Sequence, residues 1–212
     1  MEAHTAFGTS ASGPHGRSRV VVCLVEPREE IGQERGRTMK IEELLQRYPD
    51  TRAEDWRNGA GPEAWIYKTA YVEHPENIRD CAIVCGSAWV SGSARVGGSA
   101  CVSGSAWVSG SAWVSGSARV GGSAWVCRGN IVQEPIQIIG FLPWVINACG
   151  PRMVRIGCEI HTFEEWDRDV QTLARKHGEI ARLPQIRQAL EFCRMWFDAN
   201  PNAILPNEEK QP

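Results

Sequence analysis

Among the five histidines of this chain, His161 has the surroundings best suited to chemistry. It follows Cys158 by three residues, with Glu159, Glu164 and Glu165 nearby, where a strand pattern gives way to a helix start. Imidazole titrates near neutral pH, so a fixed His161 could act as a general base. A helix N-terminus favours a thiolate and attracts anions, which makes Cys158 and His161 a candidate nucleophile pair or phosphate-binding corner. Strand alternation argues the other way: if the strand continues between them, the two side chains point to opposite faces. A buried cysteine and a hydrogen-bonded histidine beside a cap then account for both. His74, just before Pro75, is the second candidate base, with a plain surface corner as the simpler account of it. Cys149, Cys158, His161 and His177 match no recognised zinc spacing, so no metal site is expected. The phosphate-loop, dinucleotide-binding, HExxH and GxSxG motifs are all missing.

The elements that must hold these residues are governed by a count of six. Every sixth residue from Ile66 through Val72, Ile78 and Val84 to Val132 and Ile138 is β-branched and aliphatic. Alanine stands two positions before most of them, from Ala64 and Ala70 to Ala118 and Ala124. A fixed short period means one unit stacked many times. In the unit Ala88-Trp89-Val90-Ser91-Gly92-Ser93, alternation puts Ala88 and Val90 inside and Trp89 and Ser91 outside. Glycine recurs at one phase from Gly92 to Gly122, where its tolerance of positive φ marks a corner. Lys68, His74 and Asp80 take that place in the first, less regular hexads. Coiling in one sense, with parallel pairing between coils, keeps one residue set always inside.

These hexads, over residues 64–138, resemble the hexapeptide-repeat family of left-handed parallel β-helices, in which three hexads make one triangular coil. The left hand is implied by that resemblance and runs against the usual right-handed crossover. With 18 residues per coil, residues 18 apart stack at about 4.8 Å. Tyr71, Trp89, Trp107 and Trp125 then form one outward ladder. Asn77, Arg95, Trp113 and Ile131 form a second, and Trp65, Ile83, Cys101 and Arg119 a third. Exposed rows of rings demand cover, from another subunit or from the terminal helices; a ligand-stacking platform is the alternative.

Around the repeat, Ile41, Leu44, Leu45 and Tyr48 are spaced as one face of a short helix ending at Tyr48-Pro49. After it, 136–141, 144–149 and 153–158 read as longer strands, with Cys149-Gly150-Pro151-Arg152 as a turn. Thr162-Phe163-Glu164-Glu165 has capping-box form and opens a helix carrying Trp166, Val170, Leu173 and Ala174. A second helix carries Ile186, Ala189, Leu190, Cys193, Trp196 and Phe197. The expected divisions are a disordered or spurious extension (1–38), an N-terminal helix and lead-in (39–63), the β-helix (64–138), a strand-and-helix cap (139–206) and a solvated tail (207–212). The fold class expected is all-β, a left-handed parallel β-helix with a short N-terminal helix and a β-plus-helical C-terminal cap. An uncapped solenoid exposes unpaired backbone, so capping is the expected task of the C-terminal elements.

A net charge of −2 offers no basic footprint for nucleic acid, and no apolar run reaches membrane-spanning length. The run 20–25 is too short for an export signal, so the eight cysteines read as reduced thiols and the location as cytoplasmic. The junction from Ile156 to Trp166 is similar to that of uncharacterised hexapeptide-repeat proteins in bacterial and prophage genomes. Three equivalent prism faces and the need to cover tryptophan, with family habit in support, point to a homotrimer. An uninterrupted prism without a clear constellation of titratable groups points to the first of two roles, and the family resemblance implies the second. The first is a non-catalytic scaffold or binding protein needing no cofactor, holding a small molecule between subunits or at the cap. In it, Tyr71, Trp89, Trp107, Trp113, Trp125, Arg95 and Arg119 would supply the interface or ligand contacts. The second is a coenzyme A- or acetyl-coenzyme A-dependent acyltransferase, with His161 or His74 as base and Cys158 beside it.

Overall fold

The computed structural model describes residues 21–22 and 39–207. The reading of 1–38 as irregular therefore falls largely outside the described residues. Its Val21–Val22 piece, however, forms a short strand paired antiparallel with Ile138–Ile139. Most of the 207–212 tail also lies outside them.

Alternation of small and branched residues drives the main body, a left-handed parallel β-solenoid of two- and three-residue strands. Trp89 pairs with Trp107 and Val90 with Val108, a register of 18 residues that recurs from Trp65–Ile83 to Trp107–Trp125. Inside, the alanine and valine rows are fully buried, for example Ala88, Ala106, Val108 and Val126. The corners need glycine for two reasons. Gly98 has φ +67°, and a Cβ added there would sit 2.7 Å from the Gly116 carbonyl oxygen of the next coil. Asp80 takes the same left-handed conformation (φ 56°) in the irregular first coil.

The solenoid ends sooner than the count of six suggests. Trp113 pairs with Asn130 and Val114 with Ile131, so the last step is 17 residues. Ile131 is fully buried in place of Val132, and Asn130 takes the outer position expected of Ile131. The cause is the Cys127-Arg128-Gly129 corner, one residue short, with Gly129 at φ +85°. Ile138 keeps the count but lies in an antiparallel sheet formed by Gln137–Ile139, Ile146–Gly150, Met153–Ile156 and Glu159–Thr162. With Val21–Val22 at its edge that sheet has five strands, two more than the sequence suggested.

Each end of the solenoid is closed. At the N-terminal end, Trp56–Asn58 pairs antiparallel with Trp65–Tyr67, and Ala60 N–H donates to the Ile78 carbonyl. Helix α1 (Ile41–Arg47) buries Leu44 against Trp65, Ile83, Cys85 and Cys101. The terminal helix thus covers the third outer ladder and leaves the tryptophan ladder open. At the C-terminal end, Ile204–Leu205 pairs with Asn130–Ile131, closing a second sheet. The tryptophan sheet is closed by the Cys149 carbonyl, which accepts from Cys127 N–H at 3.0 Å, and by a side chain. Asn147, the buried polar residue of the core, donates from Nδ2 to the Trp125 carbonyl (2.8 Å) and accepts from Trp125 N–H (3.4 Å). Gln137 donates likewise to the Gly121 carbonyl at 2.9 Å.

Two helices lie over this end: α2 (Phe163–Lys176), opened by the Thr162/Glu165 capping box, and α3 (Leu183–Ala199). Trp166, Val170, Ile186, Leu190 and Phe197 join the same core as the solenoid interior. No helix among the described residues is long and apolar enough to cross a membrane.

Replacing Asn147 by leucine fills similar space but strands the Trp125 N–H and carbonyl. Leaving buried polar groups unpaired costs about 1–3 kcal/mol. Urea unfolding of Asn147→Leu should therefore show a lower midpoint at unchanged slope, and an unchanged midpoint would contradict the capping role.

Candidate functional site

Two regions bring chemistry-bearing side chains together: the open faces of the prism and the junction of the cap sheet with α2.

On the prism, stacking follows from register. Tyr71 and Trp89 stack with centroids 3.9 Å apart, Trp89 and Trp107 lie at 5.4 Å, and Trp107 and Trp125 at 5.0 Å. Tyr71, Trp89 and Trp107 remain 40–45 % exposed. Trp125 is partly covered, because the Arg155 guanidinium lies 4.3 Å over its ring and its indole N–H donates to Ser109. The neighbouring face pairs Arg95 with Trp113, with the guanidinium 5.8 Å from the ring. Arg119 is exposed too, but it extends the third face, one rung beyond the buried Cys101. It is therefore separated from the other interface candidates.

The histidine candidates are far less alike than the sequence implied. His74 precedes the Pro75–Asn77 3-10 turn and is exposed, with Nδ1 bonded to Glu76 at 3.0 Å. His161 lies on the Glu159–Thr162 strand, three-quarters buried, edge-on to Trp166 with centroids 5.0 Å apart. Its Nε2 is 3.1 Å from Glu159 Oε2, and its Nδ1 is 3.8 Å from Glu165.

Cys158 does not partner His161. The strand begins only at Glu159, and Gly157-Cys158 forms a two-residue hairpin loop with Gly157 at φ +61°. The turn carries Cys158 into solvent, beside Glu159 and His177, and the thiol, carboxylate and imidazole donor atoms all lie within 4.8 Å of one another. Cys149, by contrast, is buried in the sheet next to Cys127. The zinc set weighed from sequence is therefore split: Cys158 and His177 stay together, and Glu159 joins them in place of Cys149 and His161.

Glu159 is the centre of this cluster and was not singled out from sequence. His177 Nε2 lies 2.7 Å from its Oε1, and Lys176 Nζ donates to the same oxygen at 2.9 Å. These two contacts and His161 hold its carboxyl down at about 2. The signal that could have found it was weak: Lys176 and His177 fall at the end of a helix whose capping box starts next to Glu159.

The same cluster edges a cleft of about 220 Å³ between the sheet turn and α2, whose apolar wall includes Trp144, Trp166, Val170 and Leu173. That volume lies below the usual range of about 300–1,000 Å³ for drug-sized ligands.

Because the folded pKa of Glu159 is about 2 and an unfolded glutamate titrates near about 4.3, the contacts stabilise the protein above the unfolded value. That contribution is lost as pH falls towards 2. Urea midpoints at pH 5 and pH 2.5 should differ less for Glu159→Gln than for the wild type; equal differences would contradict this network.

A scan of family models finds none that matches the chain, and searches of curated proteins and of solved structures return no match either. What is established is the architecture: a left-handed parallel β-solenoid of the kind seen in hexapeptide-repeat proteins, some of them enzymes and some scaffolds.

Proposed function

We propose that this chain is a non-catalytic, homotrimeric β-helix scaffold that carries a small-ligand cleft in its cap. One observation supports the reading above others. Of the three prism faces, one is covered by α1, and the remaining two are open and chemically unequal. A closed ring of identical chains needs two different surfaces, each meeting the other on the next copy. The Tyr71–Trp89–Trp107 ladder turns largely ring edges outward, because its ring faces meet one another along the stack, and the Arg95–Trp113 face offers a guanidinium and a further indole. Large exposed rings in contiguous rows are otherwise a liability for a lone chain.

The acyltransferase reading draws less support. His74 stands on an exposed turn away from any described cleft, and His161 is committed to Glu159 and packed on Trp166.

Light scattering should give three times the chain mass. Trp107→Asp, which buries a carboxylate in the proposed contact, and Arg95→Glu should each shift the protein towards monomer while circular dichroism stays unchanged. A monodisperse wild-type monomer would sink the trimer. Calorimetry with coenzyme A and acetyl-coenzyme A should show no binding; micromolar binding, with turnover abolished in His161→Ala, would replace the scaffold reading with a transferase.

A further inference from the structure

We propose that Cys158, Glu159 and His177 form a zinc site at the edge of the cap cleft, with His161 orienting the carboxylate. The inference deepens the reading of the cleft as a ligand site and is independent of the oligomeric state.

The donor set is the first argument. A thiolate, a carboxylate and an imidazole suit a borderline-soft divalent ion such as Zn²⁺, whereas magnesium and calcium prefer oxygen alone. The separation is the second. Tetrahedral zinc, with bonds of about 2.0–2.3 Å, sets its donors roughly 3.3–3.8 Å apart. The three donor atoms already lie within 4.8 Å of one another; the His177–Glu159 pair, at 2.7 Å, must open slightly to admit an ion, and the exposed Cys158 and His177 side chains are free to adjust. The Gly157-Cys158 loop leaves the thiol within 4.8 Å of His177, just past the end of α2.

The division of labour on Glu159 is the third. Its Oε1 faces His177 at 2.7 Å, while Oε2 is held by His161 at 3.1 Å. A ligating carboxylate whose second oxygen is fixed by a neighbour has the outer-shell support that metal sites commonly show. On binding, Cys158 loses its proton to solvent and His177 binds as the neutral imidazole. Lys176 is the opposing term: its ammonium shares Oε1 at 2.9 Å. Its side chain is 63 % exposed, so it can turn into water when a cation arrives. Three protein donors leave a fourth position for water or for a small ligand in the cleft, the arrangement found in open rather than closed zinc sites.

The test uses the full chain, stripped with a chelator and titrated with Zn²⁺, and with Co²⁺ as a spectroscopic substitute. One Zn²⁺ per chain should bind, and the cobalt form should show a thiolate charge-transfer band. Cys158→Ser should abolish the band, and His177→Gln should weaken zinc binding. His161→Ala should keep the band but lose about tenfold in affinity, the lower end of typical outer-shell effects. Lys176→Met should tighten binding. Circular dichroism of each variant checks folding, and because both Cys158 and His177 are probed, misfolding of one leaves the other decisive. Absence of stoichiometric binding at micromolar Zn²⁺ overturns the proposal. So does binding that Cys158→Ser and His177→Gln both leave intact, which would place the metal elsewhere, for example at Cys127 and Cys149. Light scattering of the metal-free protein reads the trimer separately, so the two readings fail independently.

Discussion

Inside the prism, side chains from three directions converge on one axis, and the space they share admits only alanine and short branched aliphatics. That steric limit sets everything outside it. Because Ala88 and Val90 must point inward, Trp89 must point outward, and because coils repeat every 18 residues, each outward residue lands on the one a coil away, Trp89 on Trp107 in one ladder and Arg95 on Trp113 in another. The aromatic ladder is thus a by-product of interior packing combined with the choice of tryptophan at one outer phase. Corner glycines obey the same geometry, since the next coil's backbone occupies the place of a Cβ.

A tube built in this way has two open ends, and the ends explain the non-repetitive parts. Antiparallel strands cover part of each terminus, while the Asn147 and Gln137 side chains and the Cys149 carbonyl supply single hydrogen-bonding groups elsewhere. Buried peptide groups must be paired, and one amide side chain that both donates and accepts imitates the next rung. The cap then creates concavity: a sheet turn against a helix end leaves the cleft at whose edge Glu159 gathers Lys176, His177 and His161.

Much of this architecture was legible from residue order, because periodicity reports packing directly. The hexad foretold the inward and outward sets, and Thr162 with Glu165 foretold the start of α2. What stayed hidden depends on contacts distant in sequence. Arg128 stands where a corner glycine belongs, a hint of the 17-residue step, but the run Val126, Val132, Ile138 conceals it by coincidence. An amphipathic pattern showed that α1 buries one face, without saying which prism face receives it. The cap cluster was hardest to foresee, because Glu159 meets His177 through an intervening helix and Cys158 leaves the strand at a two-residue turn.

The central claim is that 18 residues make one turn and six make one side. Thermal melting of two deletions tests it most directly. Removing 107–124 takes out one whole lap and returns every closing element to its own face, so this shortened chain should fold and melt cooperatively. Removing 107–112 takes out a single side, which rotates the C-terminal cap onto the wrong face, and that chain should melt far lower or fail to fold. Equal tolerance of both deletions would contradict the triangular coil on which the structure rests.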